Sequence, residues 1–512
     1  MRFRATGICR RAVLGWALVL WSCASAPVAG NGPAAASATA TLAKGARLRA
    51  GIVSLRVTGQ EWNWKTPWAK QAPWTRVVSG IAVSGRRIVA ADAVFGNHLL
   101  VEARPPGRET WTTARVVLSD PEGPIAVVEV EDDAFWHDVA PLPLADPVPR
   151  EGEVSIHRWQ GSGLLDSFPG TIRQIQTGRH GLSRSQLLTL EVGTSAEGLG
   201  ASEVVVAGGQ VVGLLTGRAG ESWIALASPV LRQVLDGHDA GEWAGFPRAG
   251  ASWEDLRNPA LRASLGLAAD EGGVRLVHVL RHGSAAGVLV EGDVLLAVDG
   301  VPIDATGHYE HPVYGRMLAG LLFTEGRRPG DEVEVRVLRD GQRLTLSLPL
   351  RHMAVDAEKI PPYVYGRGPD YLVLGGLVFQ DLSVPYLSTW GDWKRRAPPR
   401  LLIAADRDGL EPTPGHPRVV LLTSVLPDAA NLGYEGLRDL IVEKVNSRSI
   451  GNMDDLRAAF AAPEGGFHRV EFLPGQAARR VVLDAALAAA AADRIRGAYG
   501  VDALDSADPS GS

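Results

Sequence analysis

The chain has 512 residues, a length that predicts about three domains. Hydrophobic residues make up 46% of it, which is enough for several buried cores and excludes a disordered chain. Lys and Arg number 52 and Asp and Glu 57, and this near-balanced charge gives no electrostatic reason to expect a nucleic-acid partner. The two cysteines are Cys9 and Cys23, so the rest of the chain can form neither an internal disulfide nor a cysteine-based metal site.

The first 30 residues have the pattern of an export signal. A basic leader precedes the apolar run from Ala12 to Ser22, which is too short to span a bilayer, and small residues follow. We therefore predict a signal peptide at 1–30 and a flexible spacer, rich in Ala, Ser and Thr, at 31–47. Leu20-Trp21-Ser22-Cys23 resembles a lipobox, so Cys23 is either lipidated or lost with the signal. Either outcome predicts export to the periplasm or cell envelope, with or without a lipid anchor.

Short strand patterns separated by Gly and Pro fill residues 48–240. Ile52–Val57, Arg86–Ala90 and Gln186–Val192 are typical of them. Regularly spaced strands with hairpin turns predict an all-β sandwich or barrel.

Two related units follow, at 250–352 and at 370–490. In each, a buried strand is followed by a helix pattern and a closing hairpin, and such an internal repeat predicts two copies of one domain. The helix of the first unit is predicted at Tyr309–Leu322. Residues 491–512 are predicted to be a C-terminal tail, which is small and acidic at its end.

The segment from Glu291 to Ile303 resembles the central signature of PDZ domains. The order of a β-rich domain and two such units resembles the Deg/HtrA family of serine proteases, and Gly376–Phe379, Pro385–Leu387 and Asn431–Glu435 resemble its plant-type branch. The resemblance implies a mainly β fold, with a trypsin-like double β-barrel followed by two PDZ-like α+β domains. It also implies a homo-oligomer, a trimer in this family.

Peptide hydrolysis by this family needs a serine, a histidine and an aspartate. The resemblance places Ala93 at the histidine position and Pro124 at the aspartate position. Gly200 falls on the serine position, or Ala201 if the turn is one residue shorter. All three catalytic groups are therefore absent, which predicts a pseudoprotease with no catalytic residues.

The turn that would bind the oxyanion is altered as well. Glu203 stands where the family has glycine, and a carboxylate there would oppose a developing oxyanion.

The alternative is an active serine endopeptidase with a rearranged site. Ser202 is its candidate nucleophile and His98 its candidate base, with Asp92 or Asp120 to orient the imidazole. This alternative requires nucleophile and base to meet at hydrogen-bond distance.

PDZ domains add a peptide strand to a sheet edge and hold its C-terminal carboxylate with backbone N–H groups. The four residues Ser264, Leu265, Gly266 and Leu267 have the polar-apolar-Gly-apolar form of the loop that does so, and we predict that they bind peptide. The open alternative is a helix C-cap at Gly266. Gly376 and Leu377 are the equivalent candidates in the second unit, although a Pro-rich insert follows at Ser388–Pro417.

Two further clusters have no clear role in the sequence. His308 and His311 are three residues apart but lack a third ligand, so neither a metal nor a cofactor is expected. A tryptophan cluster near the start of the barrel domain is interpreted as a trimer contact or as a packed aromatic edge; it comprises Trp62, Trp64, Trp68 and Trp74.

The sequence thus predicts an exported binder of peptides or unfolded protein segments, C-terminal segments included. Its role would be that of a scaffold, a chaperone-like binder or a regulator in envelope protein quality control. An active endopeptidase and a purely structural envelope protein are the alternatives.

Overall fold

The computed structural model describes residues 45–508, apart from 161, 179–181, 183–184, 269, 356–357 and 408–410. The predicted signal peptide and the candidate lipidation site Cys23 lie outside the described residues.

Six strands close into a first barrel, which packs against a second barrel. The third strand shows how its side chains serve both contacts. All of Arg87–Ala91 is buried, since Ile88 and Ala90 fill the barrel interior while Val89 faces the core shared with the second barrel. The strands, which pair in the order β1-β2-β3-β6-β5-β4, are β1 (Ile52–Gly59), β2 (Trp74–Val83), β3 (Arg87–Ala91), β4 (His98–Arg104), β5 (Thr112–Asp120) and β6 (Ile125–Glu129). Helix α1 (Asp133–Trp136) follows.

A second barrel of six strands packs against the first, and helix α2 (Ser228–Asp239) follows it. Its strands pair in the order β10-β11-β12-β9-β8-β7 and are β7 (Gly152–Trp159), β8 (Leu165–Gly178), β9 (Leu187–Gly193), β10 (Val204–Ala207), β11 (Gln210–Ala219) and β12 (Ser222–Ala227).

The first PDZ-like unit is an open sheet whose edge strand precedes its only α-helix among the described residues. The main path of the sheet runs β13-β14-β15-β19-β20, with β16 added to β15. The elements are β13 (Ala251–Glu254), α3 (Pro259–Ser264), β14 (Val274–Val279), β15 (Val294–Val298), β16 (Val301–Pro302), β17 (His308–His311), β18 (Gly315–Leu318), β19 (Glu332–Arg339) and β20 (Gln342–Pro349).

The helix predicted over Tyr309–Leu322 is wrong, because this segment forms the hairpin β17–β18 and a 3-10 helix, Ala319–Phe323. Pro312 disfavours the helical conformation for the residue before it. Tyr309 and Met317 pair across the hairpin and are buried in the core of the second barrel. Packing on that barrel therefore determines the local structure.

The second PDZ-like unit is a longer sheet with the order β21-β22-β23-β24-β26-β27 and β25 added to β24. Its elements are β21 (Tyr371–Leu374), β22 (Leu377–Asp381), α4 (Val384–Leu387), α5 (Trp393–Arg396), α6 (Pro399–Arg407), β23 (Val420–Val425), β24 (Leu440–Val445), β25 (Arg448–Ser449), α7 (Met453–Phe460), β26 (Phe467–Phe472), β27 (Arg480–Asp484), α8 (Ala485–Ala490) and α9 (Ala492–Tyr499). The predicted fold class, mainly β with a trypsin-like pair of barrels and PDZ-like units, is confirmed.

The segment 491–512, predicted as a tail, is packed as far as it is described. Ile495 and Val501 are buried in one cluster with Tyr371 and Val373 of β21. Residues 504–506 then add to the outer edge of β21, where Val373 N–H donates to the Leu504 carbonyl over 2.6 Å. The boundary at 490 is corrected accordingly, because these apolar side chains complete the core of the second unit.

Three tryptophans of the loop after β1 pack on the second PDZ-like unit. Trp64 joins a cluster with Leu382 and Leu387, and the Trp68 ring lies 6.3 Å from that of Tyr371. Trp62 leaves no room for a side chain at Gly368. Packing, one of the two interpretations, accounts for this cluster within the chain. Among the described helices, none has the length and apolar character needed to cross a membrane.

Candidate functional site

The positions assigned to the catalytic triad converge on one place in the barrels. Ala93 lies in the 3-10 helix Asp92–Val94 that ends β3, and with Gly200 and Ala201 it lines a cleft of about 390 Å³. The carbonyl of Pro124 accepts a hydrogen bond from the Asp92 N–H over 3.1 Å. The assigned positions therefore line or adjoin one cleft, and their residues carry neither a hydroxyl nor an imidazole.

The carboxylate of Glu203 accepts a hydrogen bond from the backbone N–H of Gly200, a candidate oxyanion donor. Gly200 N–H donates to Glu203 Oε1 over 3.0 Å, and Glu203 is 6% exposed. Burial raises the pKa of Glu203 to about 7, against the lowering effect of the Gly200 hydrogen bond. In a trypsin-like enzyme, the N–H of the serine residue itself is an oxyanion donor. If Gly200 occupies the serine position, this donor is already paired with Glu203.

Ser202 lies beside the cleft, but its hydroxyl is hydrogen-bonded to two backbone groups. Its hydroxyl donates to the Ser79 carbonyl over 2.6 Å and accepts from the Ala91 N–H over 2.9 Å. The side chain is buried, and its φ of 77° lies in the left-handed region, which ordinary residues rarely adopt. The two hydrogen bonds join the barrels and hold this backbone conformation.

The other members of the rearranged site have their own partners. His98 Nδ1 lies 2.6 Å from the Phe95 carbonyl, within its own turn. Asp92 accepts a hydrogen bond from Ser119, and Asp120 accepts one from Trp243 Nε1 over 3.0 Å. The structure therefore brings none of these groups to the Ser202 hydroxyl.

Sequence reasoning missed one serine–histidine pair. His157 Nε2 lies 2.8 Å from Ser155 Oγ on strand β7, and burial lowers the pKa of His157 to about 4. No carboxylate is hydrogen-bonded to this imidazole in the part of the chain that the structure describes. Alternate residues of a strand share one face, so the spacing of Ser155 and His157 on a strand could have indicated this pair.

The predicted peptide loop of the first PDZ-like unit is instead a helix C-cap. Gly266 has a φ of 75°, and Leu267 N–H donates back to the Arg262 carbonyl over 3.1 Å, as in a helix-terminating turn. The next strand, β14, is paired on both sides, by β13 and β15. Ser264, Leu265, Gly266 and Leu267 thus border no free edge, and their assignment as peptide-binding residues is corrected.

The free edge belongs to β13. The loop before it, Arg248–Ala251, has the same polar-apolar-Gly-apolar form, with Gly250 at a φ of 71°. Any side chain at Gly250 would meet the backbone of Gly283. The edge faces the 3-10 helix Ala319–Phe323 across a cavity of about 150 Å³. The apolar positions of this loop are the small residues Ala249 and Ala251, so the sequence did not single it out as a peptide-binding loop.

The second barrel closes one side of the cavity beside β13. The Thr324 hydroxyl donates to the Gln186 carbonyl over 2.6 Å, and Gln186 lies directly against Gly320. Behind the loop, Arg248 forms a buried ion pair with Glu358 over 3.3 Å. The cavity, called the β13 groove below, therefore has walls from three parts of the chain.

In the second PDZ-like unit the equivalent edge is filled by the chain itself. Strand β22 pairs with β21 on one side and with β23 on the other. Gly376 has a φ of 85°, and its carbonyl accepts a hydrogen bond from the Leu426 N–H over 2.7 Å. Gly376 and Leu377 therefore form a hairpin turn, and their assignment to peptide binding is corrected, because β21 stands where a ligand strand would pair.

The two histidines at close spacing are separated by their partners. His311 Nε2 lies 3.1 Å from Glu325, whereas His308 Nδ1 lies 3.0 Å from the Thr306 hydroxyl. Both belong to strand β17, not to a helix. The described residues contain no group of three or more His, Cys, Asp or Glu arranged to hold a metal ion.

Comparisons with known proteins give a family model, curated relatives and solved structures. Residues 360–508 match a family model described as a PDZ domain. A putative Do-like protease 12, mitochondrial, of Arabidopsis thaliana is 24% identical over 410 residues, which are 77% of this chain and 75% of the relative. A Do-like protease 2, chloroplastic, of the same plant is 24% identical over 413 residues, 79% of this chain and 67% of the relative.

Among solved structures, an HtrA-type protease AlgW with a decapeptide is 19% identical, with a TM-score of 0.46, over 61% of this chain and 98% of that chain. The curated similarities support a relationship to the Deg/HtrA-type proteases, which combine a trypsin-like domain with PDZ domains.

Proposed function

We propose that this relative of the Deg/HtrA-type proteases is a pseudoprotease that binds peptides or unfolded protein segments without cleaving them. The observation that carries the proposal is the hydrogen bond from Gly200 N–H to the Glu203 carboxylate. It pairs the proposed oxyanion donor with the carboxyl group of Glu203, and Ala93 supplies no base. Loss of the base, the nucleophile and the donor together leaves no route for acyl transfer in this cleft.

Peptide binding is assigned to the β13 groove. Strand addition needs a free sheet edge, and β13 is an edge strand with a left-handed glycine in the preceding loop. Backbone N–H groups beside Gly250 can approach a terminal carboxylate, since no side chain covers that residue. The second PDZ-like unit, whose edge is filled by β21, is assigned a structural role.

The proposed setting is outside the cytoplasm, in the periplasm or cell envelope, and it rests on the export pattern of residues 1–30. The plant relatives carry mitochondrial and chloroplastic names, a different compartment. Lipidation at Cys23 and assembly as a homo-oligomer belong to the same proposal. Within it the protein acts as a scaffold, a chaperone-like binder or a regulator of envelope protein quality control.

Matched substitutions at the two candidate loops test the peptide site. Ser252 lies on β13 and Ser264 is the last residue of α3, and both are exposed. Ser252→Glu places a negative charge in the groove and is expected to weaken binding of a fluorescent peptide library with free C-termini at least tenfold. Ser264→Glu is expected to leave binding unchanged.

The opposite pattern, with loss in Ser264→Glu alone, would overturn the assignment of the β13 groove. Saturable binding accompanied by peptide cleavage would overturn the pseudoprotease. If the unsubstituted chain binds no peptide, the peptide-binding function is wrong, and the alternative of a purely structural envelope protein is favoured.

A specific observation favours the second candidate, an active serine endopeptidase. The imidazole of His157 is neutral at pH 7 and bonded to Ser155, so it could accept the hydroxyl proton. Casein turnover that is abolished by Ser155→Ala and retained by Ser202→Ala would establish this candidate.

A further inference from the structure

The insert between β22 and β23 carries an exposed group of cationic and indole side chains. Its helices α4 and α6 anchor it, since Leu387 and Leu401 are fully buried in one cluster with Tyr386. The Tyr386 hydroxyl bonds Asp439 over 2.6 Å, and its ring meets Trp390 edge-on at 5.3 Å. These buried side chains anchor the insert, while several residues of the segment between α4 and α6 are exposed.

We define the cationic tryptophan patch as the side chains displayed on that segment and on the adjoining loop after β1. Trp390 and Trp393 are half-buried, whereas the four cations are exposed. The Nζ of Lys65 lies 5.4 Å from the Trp390 ring centre, which joins the two parts of the patch. The members are Lys65, Trp390, Trp393, Lys394, Arg395 and Arg396.

The charge of this region opposes that of the whole chain. Residues 384–407 contain five basic and two acidic residues, a net of +3, within a chain of net −5. Within the described residues neither Lys394 nor Arg396 has a carboxylate partner, and Arg395 lies 3.6 Å from exposed Asp392. These cations therefore remain available to an external anion.

We propose that the cationic tryptophan patch docks on an anionic phospholipid surface. Indoles with an apolar body and a polar N–H favour the headgroup region, where Lys and Arg can reach lipid phosphates. Each such cation near an anionic surface adds to binding, and the attraction falls within a Debye length. A purely acidic protein partner would match the cations but would not require the half-exposed indoles beside them.

The site differs from the β13 groove, so the proposal does not depend on peptide binding. A lipid at Cys23 would hold the chain at the same kind of surface, and stable attachment generally takes two signals. In this proposal, the cationic tryptophan patch of the insert is the second membrane-attachment signal.

Vesicle binding by the chain carrying Cys23→Ser tests the proposal without an acyl group. Phosphatidylcholine vesicles are compared with vesicles that contain about one third phosphatidylglycerol, by co-sedimentation and tryptophan emission. Stronger binding to the anionic vesicles, a blue shift of emission and loss of the difference at high salt are expected. The triple variant K394Q/R395Q/R396Q is expected to lose at least tenfold in anionic vesicle binding.

The control variant R115Q/R218Q/R480Q removes the same charge from three other exposed arginines and is expected to bind as the parent does. Equal binding to both vesicle types would overturn the proposal, as would equal loss in the two triple variants. A variant Trp393→Gln that keeps the blue shift and the affinity would also contradict it. Capture of an acidic protein with no vesicle binding would assign the patch to a protein partner.

Discussion

Glu203 Oε1 accepts a hydrogen bond from the Gly200 N–H over 3.0 Å, so a buried carboxylate holds the backbone donor that an acyl-transfer enzyme needs free. Catalysis of acyl transfer depends on donors aimed at the developing oxyanion, and one such donor is worth roughly 2.7–4 kcal/mol of barrier. Here the donor is paired before any substrate arrives. Under the proposed function, this pairing is one reason why the cleft would not stabilise an oxyanion.

The first prediction concerns the pH dependence that Glu203 imposes on stability. Burial raises its pKa from 4.5 to about 7, so the folded state holds the proton more tightly than the unfolded chain. The free energy of unfolding therefore falls as the pH rises from about 4.5 to about 7. Glu203→Gln is expected to be more stable than the parent at pH 8 by at most about 3 kcal/mol and similar near pH 4.

Denaturant unfolding at both pH values measures this difference. The exposed neighbour Glu197 is the control, and Glu197→Gln is expected to change stability by less than about 0.5 kcal/mol at either pH. If Glu203→Gln is less stable than the parent at pH 8, the claim that burial raises the pKa of Glu203 and lowers stability at high pH is wrong.

The second prediction distinguishes a structural Ser202 from a nucleophile. Ser202→Ala removes hydrogen bonds to the Ser79 carbonyl and the Ala91 N–H and is expected to cost about 1–3 kcal/mol of unfolding free energy. Peptide binding in the β13 groove is expected to remain. Unchanged stability, together with loss of a catalytic activity, would show that Ser202 is a nucleophile.

The third prediction uses two glycines with the same backbone strain. Gly376 and Gly433 have φ values of 85° and 88°, but a Cβ at Gly376 would lie 2.3 Å from the Leu426 carbonyl oxygen, whereas that at Gly433 meets open space. Both alanine variants carry the left-handed penalty of about 1 kcal/mol. Gly376→Ala is expected to lose clearly more unfolding free energy than Gly433→Ala, and equal losses would argue against the hairpin turn described for the second unit.

The fourth prediction concerns the C-terminal segment. A chain ending at Ala490 loses buried Ile495 and Val501, so the second PDZ-like unit is expected to unfold at lower temperature and denaturant concentration. The ion pair between Arg457 and Asp505 is lost as well, because Asp505 lies in the removed segment. A chain ending at Asp508 is the control and is expected to unfold as the full chain does. Identical behaviour of both truncations would restore the interpretation of 491–512 as a tail.

Much of the fold could be predicted from the sequence because it is encoded in local patterns. Alternating and continuous apolar runs such as Ile52–Val57 indicated the barrel strands. The buried strand Val294–Val298 with its Asp299-Gly300 turn indicated the first PDZ-like unit, and the similar strand Leu440–Val445 indicated the second. The hairpin β17–β18 could not be predicted, since its side chains are buried against a different domain. Tertiary contacts thus overrode a local helix pattern there.

The candidate sites show the same limit. Gly266 and Gly250 both follow an apolar residue and both have positive φ, so their local sequences do not separate them. Only the pairing of β13 and β14 shows which of the two lies beside a free edge. The capture of the Gly200 N–H by Glu203 likewise depends on a side-chain direction, although the presence of the carboxylate was visible in the sequence.

The most direct test of the central claim is the intact mass of the purified chain after exposure to an excess of a fluorophosphonate, which phosphonylates activated serines. The account predicts an unchanged mass, both at pH 8 and at pH 6, where Glu203 is largely protonated. An adduct on a single serine, with casein turnover blocked in proportion to it, would contradict the account and establish an active endopeptidase.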